Sequence, residues 1–599
     1  MGWPYQFLDL TSDEKAQRRE LLDQYAFFAQ VSVLVPLLAC ATARLCVWLV
    51  ARTGFLDVEY SALSQLPESG GASGQPKLGR NRRRTISQRW RQAQWWLDEE
   101  LASGWGLRGR WIVAIVWTLW LLGLCALETG NGKQLAKGDH KPFRATEDLN
   151  ESLSTNPATP DYLHITKRFG IIAASQMPLL FLLSMRTRFS PLCILLKSSH
   201  DHLMHWHQMC GRIIMIFVSL HGACYVNFYI QKGIFVTRLQ HQNPLTGLIA
   251  LLMIGTIAMT SLEKVRRWSY RLFIYSHIST GVAIWLALLF HAKPLRLYAV
   301  ESLAVYFADR ILRYFDTVTS SAVITQVPRT NLLQVTFTTT LKKRTRFLAK
   351  SGQHVYLSFP AKDPCSSWKS LLSNPFTIAE ASAEEIKLVL RARQGLVTRM
   401  LQGYTDHIKG QPTINIEGPY GGLASVVELV STADRILLVA GGIGATFILP
   451  VSMALREHLL DTKGDPDRLH VVWALKSAAE GSWTLDSEKQ ILPQRFNISI
   501  YVTGRHHTAY DQREMSDNDD QVEMNALQQS PRVMGGIQSQ TGRPDLRAIV
   551  DGLMSYHPDE RVAVVFCGPK EMGRELRSQA GRWVAKGRDV LWHEEGFGW

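Results

Sequence analysis

The stretch 207-HQMCGRIIMIFVSLH-221 is an apolar run that begins and ends in histidine. A second stretch, 277-HISTGVAIWLALLFH-291, repeats that form at the same interval of 14 residues. A lone imidazole in an apolar helix is usually a polar residue bonded to a neighbour. Two pairs at one interval need another reason. An α-helix turns about 100° per residue and rises 1.5 Å, so fourteen residues return to within about 40° of the same face after roughly 21 Å. Each run then carries two histidines on one side, one near each edge of a hydrocarbon core about 30 Å thick.

The surroundings support a membrane setting. A helix needs about 20 apolar residues to cross, and seven candidates are found at 27–51, 109–127, 168–186, 207–229, 245–262, 270–291 and 295–315. The last is the weakest, because it carries Glu301, Asp309 and Arg310. One span separates the two histidine runs, so they are parallel, with His207 level with His277 and His221 level with His291. Two stacked bis-histidine haems are expected, one near each leaflet, six-coordinate and suited to electron transfer. His200, His202 and His205 crowd the first run but have no partner at the shared interval, and are read as interfacial. Arg212 at the membrane edge needs a partner, either a haem propionate or a lipid phosphate.

The net charge of +14 would suit a nucleic-acid stripe, but the basic residues lie between the apolar runs. There they set topology instead, and no nucleic-acid partner is expected. Loops 52–108 ("GRNRRRTISQRWR"), 187–205 and 263–271 are basic and alternate with poorer loops at 128–167 and 230–244. With basic loops cytosolic, the N-terminus lies outside and everything after about 315 is cytosolic. The sequon at Asn150 agrees with an outer loop 128–167. The eight cysteines show no CxxC and no regular spacing, so neither disulfides nor zinc is indicated. No cleavable signal peptide and no N-myristoylation are expected.

The second half reads as a soluble protein. Short alternating strands over 320–425 suggest a small antiparallel barrel. On it, Asn374, Pro375, Phe376 and Thr377 could meet a flat ring, and Gly395 and Thr398 open a helix whose free N–H groups attract phosphate. "DRILLVAGGIGATFILPVSMAL" is a buried strand, a glycine-rich turn and an apolar helix. Gly441, Gly442, Gly444 and Thr446 there suit a pyrophosphate in an open α/β sheet. The polar stretch 506–541 is expected to be a solvated, disordered insertion.

The paired histidines, then "NPFT", "GPYGG", "GGIGAT", "GRP", "CGP" and the closing "EEGFGW" follow one another in an order that resembles the fungal-type ferric-chelate reductases. This is the ferric reductase transmembrane component family of the NADPH oxidase superfamily, and the resemblance covers roughly residues 165–599. It implies a multi-pass α-helical membrane domain of about seven spans holding a bis-haem bundle. A cytosolic antiparallel β-barrel FAD domain and an α/β nucleotide-binding domain follow, ferredoxin-NADP reductase-like. The boundaries expected are 1–165 (two spans and an outer loop), 166–318 (haem domain), 319–425 (FAD) and 426–599 (NAD(P)H).

Residue by residue, the resemblance gives Asn374–Thr377 to the flavin, with Gly395 and Thr398 at its pyrophosphate. Relatives often carry His where Asn374 stands. It gives Gly418, Pro419, Tyr420 and Gly421, with Gly441–Thr446, to the nicotinamide nucleotide. Cys567, Gly568 and Pro569 resemble the strand-end motif beside the nicotinamide, and Phe597 or Trp599 the aromatic that covers the flavin. Arg543 resembles a contact to the 2′-phosphate of NADPH, and Lys476 stands where relatives commonly carry Arg. The bland alternatives are a buried thiol at Cys567 and aromatic tail anchors at Phe597 and Trp599. The activity implied is transfer of electrons from NADPH through FAD and two b-type haems to ferric or cupric chelates across the membrane. A superoxide-producing NADPH oxidase and a non-enzymatic scaffold are the alternatives. The location expected is the plasma membrane or an internal membrane such as the vacuole. The partners expected are the bilayer and the metal chelates, with homo-oligomerisation left open.

Overall fold

The computed structural model describes chiefly residues 11–52, 78–102, 105–128, 161–339, 352–360, 373–382, 385–393, 395–405, 410–421, 432–461, 468–484, 497–504, 533–534, 537–556 and 560–596. They divide into two compact units, Met1–Ser73 with Glu99–Tyr314, and Gly74–Asp98 with Phe315–Trp599. The principal helices, in chain order, are α1 (Ser12–Val31), α2 (Leu34–Arg52), α3 (Leu78–Leu97, in the second unit), α4 (Arg108–Ala126), α5 (Tyr162–Ser175), α6 (Met177–Ser184), α7 (His200–Gln231), α8 (Gln242–Thr260), α9 (Tyr270–His291) and α10 (Leu295–Asp316).

Among the described residues, five helical segments are long and apolar enough to cross a membrane: 12–46, 108–126, 200–231, 242–260 and 270–291. The expected third span is instead two helices, α5 and α6, that meet at Gln176. Pro178 in the first turn of α6 lacks the N–H that a continuous helix would use there. The expected seventh span, α10, is amphipathic, and both acids that weakened it as a span have partners. Glu301 accepts from Gln30 Nε2 at 2.6 Å, and Asp309 accepts the Arg186 N–H at 2.9 Å and pairs with Arg313 at 3.4 Å. The two histidine-bearing helices start on serine caps, Ser199 and Ser269, whose hydroxyls accept the N–H groups of His202 and Leu272. Leu121, Ile172, Leu203, Phe217 and Trp285 fill the centre of the unit.

The second unit begins with strands β1 (Thr317–Gln326), β2 (Leu332–Phe337), β3 (His354–Ser358), β4 (Asn374–Ala381), β5 (Ile386–Arg391) and β6 (Thr413–Tyr420), closed in the order β1-β2-β5-β4-β3-β6. Neighbours are antiparallel throughout. Leu333, Val335 and Phe337 of β2 point inward in period two and meet Leu388, Leu390, Ile414 and Ile416. Helix α11 (Leu396–Gln402) follows β5.

The rest of the unit is a sheet of strand order β10-β11-β9-β8-β7-β12-β13. Its members are β7 (Arg435–Gly441), β8 (Leu469–Leu475), β9 (Ile498–Val502), β10 (Val533–Met534), β11 (Ile537–Thr541), β12 (Arg561–Cys567) and β13 (Asp589–Glu595). Helices α12 (Ala445–Asp461), α13 (Leu546–Met554) and α14 (Lys570–Ala585) pack against it. Every pairing is parallel except β10 with β11. Strands β10 and β11 correct the sequence expectation of a disordered stretch through residue 541. Backbone pairing to β9 supplies order there that the polar composition did not signal. Residues 505–532, Asn150 with its loop, and the tail residues Phe597 and Trp599 lie outside the described residues.

Candidate functional site

In the first unit the four sequence-singled histidines come together as two pairs. The ring centres of His207 and His277 lie 6.1 Å apart, and those of His221 and His291 lie 6.2 Å apart. A metal midway in either pair would sit about 3 Å from each ring centre, which leaves about 2 Å to the nearer nitrogen, the length of an imidazole–metal bond. Three rings are turned so that this nitrogen is free. Nδ1 of His207 meets the Leu180 carbonyl at 3.0 Å, that of His221 the Thr166 carbonyl at 2.7 Å, and that of His291 the Asn243 carbonyl at 2.8 Å. A carbonyl accepts only from N–H, so the proton is fixed on Nδ1 and the lone pair on Nε2, the form a metal-binding imidazole takes. Nδ1 of His277 is buried without a hydrogen bond. The residues therefore fit two haems held by histidine pairs.

Glycines make room for the second pair. A Cβ on Gly170 would lie 2.7 Å from His221 Nδ1, and one on Gly247 would lie 2.6 Å from His291 Cε1. Sequence reading missed both, because a single glycine in an apolar run is an ordinary occurrence. Gly170→Ala is expected to displace the His221 ring and weaken the second metal site by about 10-fold, the lower range for loss of an outer-shell support. Haem-to-protein ratio and low-temperature absorbance of the purified variant read this out. Of the neighbouring histidines, His200 has its Nδ1 3.1 Å from the Met185 carbonyl. Arg212 neighbours the Trp111 ring at 5.5 Å and its Nη1 donates to Met209 Sδ at 3.4 Å.

In the second unit, Asn374–Thr377 open β4, opposite His354–Leu357 of β3. Thr377 is buried, and Asn374, Pro375 and Phe376 are half-buried. The expected flavin elements converge: a Cβ on Gly395 would lie 3.7 Å from Asn374 Nδ2. Thr398 is committed to its own turn, where its hydroxyl donates to the carbonyls of Arg393 (2.6 Å) and Gly395 (3.1 Å). That leaves the backbone of Gly395 and the start of α11, rather than the Thr398 hydroxyl, to meet a phosphate. Tyr420 donates to Glu417 at 2.8 Å and stands with His354 and Tyr356 in a cluster of rings, each pair within 6.1 Å. Nothing in the sequence tied His354 to that group. Gly418 and Gly421 take positive φ (125° and 67°), open to glycine at little cost.

The strand order reverses between β7 and β12, and in open α/β sheets ligands bind outside the carboxyl ends at such a point. Both glycine motifs are there. A Cβ on Gly444 would lie 2.0 Å from the Cys567 carbonyl oxygen, and one on Gly441 would lie 2.4 Å from Pro569 Cδ. The turn Gly441–Gly444 and the segment Cys567–Pro569 thus touch backbone to backbone. Thr446 uses its hydroxyl to cap Ile443 at 2.9 Å, and the indole of Trp473 donates to the Gly442 carbonyl at 3.0 Å. Burial first, then Glu595 and Glu594, push the Cys567 thiol up. It is therefore a neutral thiol rather than a thiolate at physiological pH. Lys476 follows β8 and Arg543 follows β11, so both stand at the carboxyl edge of the sheet.

Two residues here were not foreseen. Arg391, the last residue of β5, pairs with the buried Glu480 at 2.9 Å, and a Cβ on Gly442 would lie 3.6 Å from its Nη2. A charge at the end of a barrel strand gives no sequence sign that it borders a turn some 50 residues away.

Three family models match, in chain order. They are a ferric reductase like transmembrane component over residues 169–288, an FAD-binding domain over 319–424 and a ferric reductase NAD binding domain over 433–581. The chain is 24% identical over 447 residues to ferric/cupric reductase transmembrane component 2 of Saccharomyces cerevisiae, covering 70% of this chain and 59% of that protein. It is 25% identical over 397 residues to the probable metalloreductase AIM14 of Yarrowia lipolytica, covering 66% and 64%. The match thus spans about three fifths of those relatives' length. Among solved structures, flavohemoglobin from Malassezia yamatoensis is similar at a TM-score of 0.32 and 16% identity, covering 71% of this chain and 96% of that one. A similarity that loose carries no weight. The three domain matches do: a ferric reductase like transmembrane component is followed in this chain by an FAD-binding domain and a ferric reductase NAD binding domain.

Proposed function

We propose that the protein is an NADPH-dependent transmembrane metalloreductase that takes electrons from NADPH on the cytosolic side and delivers them to ferric or cupric chelates on the opposite face. The observation that carries this reading is the two histidine pairs, ring centres 6.1 and 6.2 Å apart, at matched positions of the same two helices. FAD, when bound, accepts two electrons and releases them singly, and b-type haems accept one at a time.

The chain's own residues position these groups. His207 with His277, and His221 with His291, hold the two irons, and the carbonyls of Leu180, Thr166 and Asn243 fix the tautomer of three of the four rings. Asn374–Thr377 and the backbone at Gly395 hold the flavin. The nicotinamide nucleotide lies along Gly418–Gly421, the turn Gly441–Thr446 and Cys567–Pro569, where glycine lets a pyrophosphate approach the backbone. A neutral Cys567 beside the nicotinamide offers a polarizable contact and no nucleophile. No side chain is asked to act as acid or base on the outer acceptor.

Lys476 and Arg543 read the 2′-phosphate. Charged hydrogen bonds contribute about 1.5–3 kcal/mol. Removing both should therefore raise KM for NADPH by at least about 10-fold and leave KM for NADH unchanged, as measured by steady-state oxidation of each nucleotide.

The deciding experiment is reduction of an impermeant ferric chelate by intact cells expressing the protein, with and without superoxide dismutase. Expression-dependent reduction that the dismutase leaves untouched supports direct metal reduction. A signal that the dismutase removes would make superoxide the product and the protein an oxidase.

A further inference from the structure

Three segments of the second unit meet at the glycine turn after β7. Gly442 takes φ 56°, a conformation open to glycine at little cost. Its carbonyl accepts from the indole of the fully buried Trp473 at 3.0 Å. Trp483, itself buried, meets Trp473 edge-on at 6.3 Å and anchors the short turn Ala478–Thr484. That turn carries Glu480, which is 7% exposed. Both of its carboxylate oxygens are engaged. Oε1 accepts from Arg391 Nη2 at 2.9 Å, and Oε2 accepts the Lys476 N–H at 3.4 Å.

Arg391 ends strand β5 of the barrel and reaches this turn from the other side. A Cβ on Gly442 would lie 3.6 Å from Arg391 Nη2, and no other described group outside the turn comes within 4 Å of that position. A guanidinium offers five N–H donors in a planar fork. Glu480 takes one of them, and Arg391 makes no other hydrogen bond among the described residues. A buried carboxylate needs a paired cation, so Glu480 fixes where the guanidinium lies. A plain tie between barrel and sheet would need nothing more. Here the donors left over border the space that a missing side chain keeps open, and a guanidinium fork fits phosphate oxygens two at a time.

We propose that Arg391 contacts the pyrophosphate of the nicotinamide nucleotide, and that Glu480 is the positioning residue that aims it. This rests on the placement of the nucleotide at Gly441–Thr446 proposed above and adds a contact from the barrel side. The pyrophosphate is common to NADPH and NADH. The contact therefore serves both, unlike Lys476 and Arg543 at the 2′-phosphate.

The test measures equilibrium binding to the purified, flavin-bound full chain with three probes. These are NADP+, NAD+ and adenosine 2′-monophosphate, which has the 2′-phosphate and no pyrophosphate. Arg391→Gln is expected to weaken NADP+ and NAD+ alike, by at least about 10-fold, as for loss of one charged hydrogen bond, and to leave the monophosphate unchanged. Glu480→Gln should weaken both dinucleotides by less, and should cost nothing further once Arg391 is already Gln. A Glu480 that served only the fold would instead add its own loss in the double variant. That neutral pair leaves no unpaired buried charge, so it carries the test if Arg391→Gln alone loses its flavin. Unchanged dinucleotide binding would overturn the proposal, and so would equal loss of all three probes. Loss of FAD from the double variant as well would assign Arg391 to the flavin instead. Gly444→Ala separates the two readings. If it weakens the dinucleotides and the Arg391 variants do not, the turn binds nucleotide without Arg391. If neither weakens them, the nucleotide does not bind at the turn.

Discussion

His221→Ala is expected to abolish delivery of electrons to an impermeant ferric chelate and to leave NADPH-driven flavin reduction intact. The reason is geometric. His221 faces His291 with ring centres 6.2 Å apart, and its Nδ1 is held by the Thr166 carbonyl. Alanine would leave one protein ligand for an iron that the pair would hold with two. Loss of an outer-shell partner alone costs up to about 100-fold, so loss of a ligand itself should reduce outward transfer by at least that factor. The His207–His277 pair is untouched, so haem content should fall to roughly half rather than to nothing. His207→Ala separates the steps differently, removing the other pair and sparing the second. A His221→Ala protein that still reduced the chelate at the normal rate would remove the histidine pairs from the electron path.

The second large effect is expected at Gly444. A Cβ there would lie 2.0 Å from the Cys567 carbonyl oxygen and 2.7 Å from its carbon. Both are backbone atoms of the neighbouring strand, so no rotamer change relieves the overlap. Overpacking of this kind costs about 1–3 kcal/mol and sometimes more. Here it would drive apart the two segments proposed to hold the nucleotide. Gly444→Ala should raise KM for NADPH by at least about 10-fold, since 1.4 kcal/mol is a factor of ten, and lower the melting temperature of the flavin-bound protein. Gly552→Ala is the matched control. It lies in α13 with nothing within 4 Å of a built Cβ, and should be neutral or stabilising by up to about 1 kcal/mol. Equal behaviour of the two variants would mean that contact between the β7 and β12 turns is unimportant.

Much of this was open to reading from the residues. Histidine spacing in apolar runs obeys helix periodicity, so it survives in one dimension, and the pairs form as expected. The glycine turn after a buried strand is likewise a local pattern. The third span was misjudged as one piece because hydropathy averages over Gln176 and Pro178, where the helix breaks. The strands at 533–534 and 537–541 were missed because their order comes from pairing, of β11 to β9 and of β10 to β11, rather than from their own composition.

What the sequence by itself determined is whatever depends on near neighbours along the chain: the apolar runs of the two histidine-bearing helices, the face on which each histidine lies, the alternation of the barrel strands and the order of the motifs. Tertiary structure alone decided the rest. It chose the carbonyls of Leu180, Thr166 and Asn243 as acceptors for the histidine rings, and brought Gly444 against Cys567. It also paired Arg391 with Glu480 and laid α3 on α14. Each of these joins groups tens to hundreds of residues apart. Complementary shape and an unmet hydrogen bond select such partners, and neither leaves a mark in the local pattern of either segment.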